Sequence, residues 1–63
     1  MDKTLEYLLR EFRERIDALS NAAARGNCGD YVEYKYVCGQ IRGLDAACAV
    51  IEDLNKRMEI SDD

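Results

Sequence analysis

An all-α fold, an antiparallel hairpin of two helices over about residues 3–25 and 31–59, is what this 63-residue sequence predicts. Three observations lead there. Proline is absent and aromatics are few, whereas apolar and charged residues are abundant, a balance that suits long helices better than sheet. Apolar residues recur at intervals of three and four through both halves of the chain, the helical rather than the strand period. Between the halves stands RGNCGD, residues 25–30, where two glycines and an asparagine read as a turn.

The first helix is justified by Leu5, Leu9, Phe12, Ile16, Leu19 and Ala23, which step by four and three as a coiled-coil-like heptad seam. Asp2 or Thr4 can cap its start, and Glu6 with Arg10 and Glu11 with Arg15 stand in the favourable i,i+4 order on the outer surface. A helix over 3–25 is roughly 33 Å long. It should end at Gly26, since glycine suits the left-handed position just beyond a helix, with Arg25 near the negative end of the helix dipole.

Asp30 followed by Glu33 has the form of a capping box, so the second helix should begin at Tyr31. Its seam runs through Tyr34, Val37, Ile41, Leu44, Cys48, Ile51 and Met58, with Asn55 as a polar interruption. Glu52 with Lys56 and Asp53 with Arg57 should support its last turns, and the tail over 60–63 should fray. A loop this short makes the two helices antiparallel neighbours.

That packing leaves a remainder. Beside the seam of the second helix lie Val32, Tyr36, Gly39, Gly43, Ala46, Ala47, Val50 and Leu54, so that apolar or small residues cover roughly 200° of its circumference. Docking on one neighbour needs about half of that arc. Gly39 and Gly43 are the sharper puzzle, because each costs a helix interior about 1 kcal/mol relative to alanine. With Ala47 they form a line of small residues against which another backbone can lie closely. Either that backbone is the first helix, with Phe12 or Tyr7 received over the glycines, or it belongs to another chain. Tyr34 reads as core, and Tyr31 and Tyr36 as a contact rim. Arg42 is either paired with Asp45 on the surface or an anchor in an interface. The candidate partner-binding residues are therefore Tyr31, Tyr36, Gly39, Arg42, Gly43, Ala46, Ala47, Val50 and Leu54.

Several functions fit poorly. The net charge is −4, and residues 27–63 hold eight acidic side chains against four basic ones, whereas residues 1–26 are balanced at five and five. Nucleic-acid binding needs a basic face, and Arg10, Arg13 and Arg15 are interleaved with Glu11, Glu14 and Asp17. Successive tyrosines at 31, 34 and 36 point in different directions on a helix, so they make no stacking platform for bases. Cys28, Cys38 and Cys48 are odd in number, lack a CxxC pair and have no histidine to join them, which argues for reduced thiols acting as small apolar residues. A two-helix hairpin offers no cleft for acid–base chemistry, so no enzyme activity, metal or cofactor is expected. No run approaches membrane-spanning length, and the N-terminal MDKTLEYLLREFRER lacks the apolar core of a signal peptide, which points to the cytoplasm of the producing cell.

Residues 30–54, DYVEYKYVCGQIRGLDAACAVIEDL, carry one resemblance. Through Tyr31, Tyr34, Lys35, Tyr36, Gly39, Ile41, Gly43 and Leu44 this stretch resembles the Y-x-x-Y-[KR]-Y-x-x-G-x-I-x-G-L pattern of short, mostly unannotated helical proteins of tailed bacteriophages. It covers about two-fifths of the chain. The resemblance implies a small virion or assembly component that packs on a larger ring- or shell-forming phage protein, such as the portal or head–tail region, or on itself. Two other expectations stand beside it. One is a small phage-encoded inhibitor, located in the host cytoplasm, whose acidic second half suits a basic host target; the other is a DNA-packaging accessory, which the charge disfavours.

Overall fold

Asp2 starts the first helix: its carboxylate accepts from the backbone N–H of Thr4 at 2.8 Å and of Leu5 at 3.1 Å, so it is Asp2 rather than Thr4 that caps. In the computed structural model, which describes residues 1–26 and 28–61, this helix, α1, spans Lys3–Ala24. Arg25 caps its end, where the N–H of Arg25 donates to the Asn21 carbonyl at 3.0 Å and that of Gly26 to the Ala23 carbonyl at 3.1 Å. Gly26 has φ +74, the left-handed conformation that only glycine adopts at little cost. Asn27, the third residue expected to make the turn, lies outside the described residues.

The second helix, α2, spans Tyr31–Ser61. Asp30 accepts from the Glu33 N–H at 2.8 Å, and the Glu33 carboxylate reaches back to the Gly29 N–H at 2.8 Å. The capping box is thus present in a form shifted by one residue, because the glutamate takes the donor before the cap rather than the cap's own. At the other end α2 runs further than expected: Ile60 and Ser61 are helical rather than frayed, and Asp62 and Asp63 lie outside the described residues.

α1 lies antiparallel along α2 as a hairpin, a rod of 51 × 16 × 12 Å, with no strand among the described residues. Every seam position of α1 is covered to some degree, and Leu9, at 3% exposure, is the most deeply set. Leu5 and Leu9 pack with Cys48 and Ile51, and Leu8, Phe12 and Ile16 close around them. The core therefore sits toward the end that holds the N-terminus of α1 and the later turns of α2, away from the connecting turn. Arg13 pairs with Glu52 across the two helices at 2.5 Å. Both partners are largely exposed, so the pair adds little, within about 1 kcal/mol.

The α2 seam needs two corrections. Tyr34, expected in the core, is 47% exposed, and Met58 is exposed as well. Residues 31–36 are all exposed, and Val37 and Cys38 are the first positions of α2 that are even half covered. The cause is reach. α1 has already ended at Ala24, so the first turns of α2 project past it, and beyond Ile51 the start of α1 leaves Met58 at the rim.

Surface charges also differ from expectation. Asp53 and Arg57 pair at 3.1 Å. Among the described residues the pairs Glu6–Arg10, Glu11–Arg15 and Glu52–Lys56 are not formed, since Glu52 turns to Arg13 across the hairpin and Arg10 lies over the Tyr7 ring at 5.7 Å. Long solvated side chains gain only a few tenths of a kcal/mol from an i,i+4 pair, so a competing neighbour redirects them easily.

Candidate protein-docking face

The outer side of α2 is where the structure leaves apolar surface uncovered. On a helical projection at 100° per residue, Tyr36, Gly39, Gly43, Ala46, Ala47, Val50 and Leu54 fall within an arc of about 100°. The centre of that arc lies about 130° from the stripe of Val37, Ile41, Leu44, Cys48 and Ile51 that faces α1. Ala47, at its inner edge, is half covered, and the other members are exposed. Val50 at 68%, Tyr36 at 66% and Leu54 at 45% contribute its bulk, and Val32 extends it toward the turn.

Gly39 and Gly43 form its floor. A Cβ placed on either one meets no atom within 4 Å. The first of the two expectations for these glycines therefore fails: α1 does not lie against them, and neither Phe12 nor Tyr7 is received there. Phe12 instead packs on the Leu5–Leu9–Cys48–Ile51 cluster, and Tyr7 stands exposed under Arg10. Among the described residues no contact explains why these two positions lack a side chain.

Two predicted contact residues sit differently. Tyr31 is exposed, but its direction is about 110° from the centre of the arc, and the Lys35 ammonium lies 5.9 Å from its ring centroid. It belongs to the flank, at the turn end. Arg42 is exposed on the same flank and, among the described residues, has no ion-pair partner, so the expected pairing with Asp45 is absent.

On the opposite flank Arg15, Ala18 and Leu19 of α1 and Gln40, Gly43 and Leu44 of α2 line a shallow groove between the helices. Ala18 and Gly43 supply little bulk there. Ala18 and Gln40 were not among the residues singled out from sequence, whereas Leu19 reads there as seam and Arg15 as a surface charge. The only signal for them was Ala18 standing beside Leu19 of the seam, a weak one, since alanine is common on any helix.

Tyr34 is a titratable group whose pKa is displaced. Its phenol pKa is raised above 10.0, chiefly through its interaction with the Cys38 thiol one turn on, with smaller effects from desolvation, Cys28 and Tyr31. Cys28 and Cys38 are half covered and Cys48 is buried; all three are free thiols. Among the described residues no group of three or more His, Cys, Asp or Glu side chains is placed to hold a metal ion, and no helix is long and apolar enough to cross a membrane.

The outer side of α2 thus combines a floor without side chains, bulky apolar residues at both ends, and charges along one flank. Comparison with family models, with curated proteins and with solved structures finds no match to this chain.

Proposed function

We propose that this chain is a non-catalytic protein–protein interaction module, and that it serves as a structural or assembly component of a tailed-phage virion, decorating a larger ring or shell at the portal or head–tail region. The observation that carries the interaction role is the uncovered face of α2, whose apolar residues and bare glycines have no counterpart within the hairpin. The phage setting is supported by the resemblance of residues 30–54 to short helical proteins of tailed phages.

Such a module works by burial. Its own core is four side chains, Leu5, Leu9, Cys48 and Ile51, too few to make a 63-residue chain comfortably stable, so docking completes the burial that folding begins. Mass spectrometry of purified particles of the encoding phage tests the setting. The chain is expected in many copies per particle, and its complete absence from particles would sink the virion role. Recovery of one stoichiometric host protein with the tagged chain, and of no phage structural protein, would favour an inhibitor instead.

A further inference from the structure

We propose that the partner seated on the α2 face is a second copy of this chain, bound antiparallel about a two-fold axis that passes between Ala46 and Ala47. This rests on the interaction role above and names the occupant of that surface.

The first argument is the order of large and small residues along the face. Val50 lies as far C-terminal to the Ala46–Ala47 midpoint as Gly43 lies N-terminal to it, and Leu54 and Gly39 are related in the same way. A two-fold axis perpendicular to the helix makes each position meet its mirror partner, because both subunits present the same patch in opposite directions. Val50 of one copy then stands over Gly43 of the other, and Leu54 over Gly39, while Ala46 and Ala47 meet at the centre. Both glycines are open to receive them, since no atom lies within 4 Å of where a Cβ would stand. Large opposes small at these two steps, so two straight helices keep one close separation between Gly39 and Leu54, while Tyr36 beyond them comes opposite Arg57.

Charge gives a second, independent argument. Arg42 has no ion-pair partner among the described residues. In this pairing its flank meets the same flank of the second copy, and Arg42 comes opposite Asp53 with an axial offset of about 3 Å, within the reach of an arginine side chain, so that the Asp53 carboxylate is shared between Arg42 of the other copy and Arg57 of its own. The contact occurs twice by symmetry. Lys35 on this flank also approaches Arg57, which lies in line with Gly39 at the far end of the face, as a like charge. Each is already engaged within its own helix, Lys35 with the Tyr31 ring at 5.9 Å and Arg57 with Asp53 at 3.1 Å, which softens the repulsion.

Area is the third. A compact monomer of 7.2 kDa exposes about 4100 Å², whereas this chain exposes 4955 Å². The surplus, about 800 Å², is the share that each partner contributes to a standard interface.

Light scattering or sedimentation of the intact chain tests the proposal. The wild type is expected at the mass of two chains, dissociating on dilution. Gly43→Leu should run as one chain with its helix content intact, because a Cβ at that position meets no atom of its own hairpin within 4 Å. Arg42→Glu should raise the dimer dissociation constant about tenfold. Combining it with Asp53→Arg should restore most of the loss, which a merely structural role for either residue would not produce. A wild type that stays monomeric at hundreds of micromolar, a Gly43→Leu variant still at two chains, or a double variant no tighter than Arg42→Glu would each overturn it. A monomeric chain that is nonetheless abundant in particles would leave the interaction role standing with a different partner; a dimer absent from particles would do the reverse.

Discussion

Gly39→Ala combined with Gly43→Ala separates what the glycines do for folding from what they do for association. Within a helix interior each glycine costs about 1 kcal/mol relative to alanine. Neither new methyl group meets an atom within 4 Å, so no steric penalty offsets that gain. The isolated hairpin should therefore be stabilised by about 2 kcal/mol. For a domain of this size 1 kcal/mol moves the melting midpoint by about 4–8 °C, so a rise of ~8–16 °C is expected. Thermal melts followed by far-ultraviolet circular dichroism make the measurement, at dilutions where the chain is monomeric, because dimerisation would itself raise the midpoint. At higher concentration the same variant should associate more weakly, since two methyl groups occupy the space that Val50 and Leu54 of the second copy enter. An unchanged or lowered midpoint would refute the reasoning, by showing that something in the hairpin already occupies the space beside these glycines.

Other outcomes follow from the same structure. Leu9→Ala empties the most buried position and should cost about 3 kcal/mol; a chain of this length holds only about 3–9 kcal/mol of net stability, so urea titration should find a substantial unfolded population, and a loss below about 1 kcal/mol would place the core elsewhere. Asp30→Ala removes the acceptor for the Glu33 N–H and should cost about 1 kcal/mol, seen as faster amide hydrogen exchange in the first turn of α2, while Asp30→Ser keeps most of the protection. Tyr34 should ionise above the ordinary tyrosine value of about 10 when its tyrosinate absorbance is followed against pH in a chain whose other tyrosines are phenylalanine, and Cys38→Ala should lower it. Because its folded-state pKa is raised, the stability it contributes is whole below about pH 10 and is lost as pH climbs through the raised value; ionisation at or below the ordinary value would contradict this.

The sequence made the hairpin legible because periodicity, caps and turn residues all agree on it. Leu5, Leu9, Phe12 and Ile16 at three- and four-residue steps, Asp2 and Asp30 before them, and Gly26 after Ala24 each have a local physical cause, so each could be read locally. Tyr34 and Met58 show where that stops. A period says which side of a helix turns inward, but coverage also depends on how far the neighbour extends, and that is set by the antiparallel register rather than by any residue nearby. The surface pairs were illegible for another reason. Glu52 could reach Lys56 or Arg13, and only the positions of both helices decide between contacts of nearly equal strength. At the candidate face, Gly39, Gly43, Val50 and Leu54 were readable as an excess over what one neighbour can cover, whereas the groove beside Ala18 and Gln40 is formed jointly by two helices and has no signature in either one.

Where the core lies also bears on how the molecule tolerates change. Leu5, Leu9, Cys48 and Ile51 clamp the two helices together at the end opposite the connection, so the hairpin is closed twice, once by the chain and once by side chains. Lengthening the link after Gly26 would then add only loop entropy, about 0.6 kcal/mol for each doubling, because the clamp rather than the link sets the alignment. New segments are best inserted there. The termini of the two helices, in contrast, emerge side by side next to the clamp, so that additions at both ends would crowd the packing on which the fold depends.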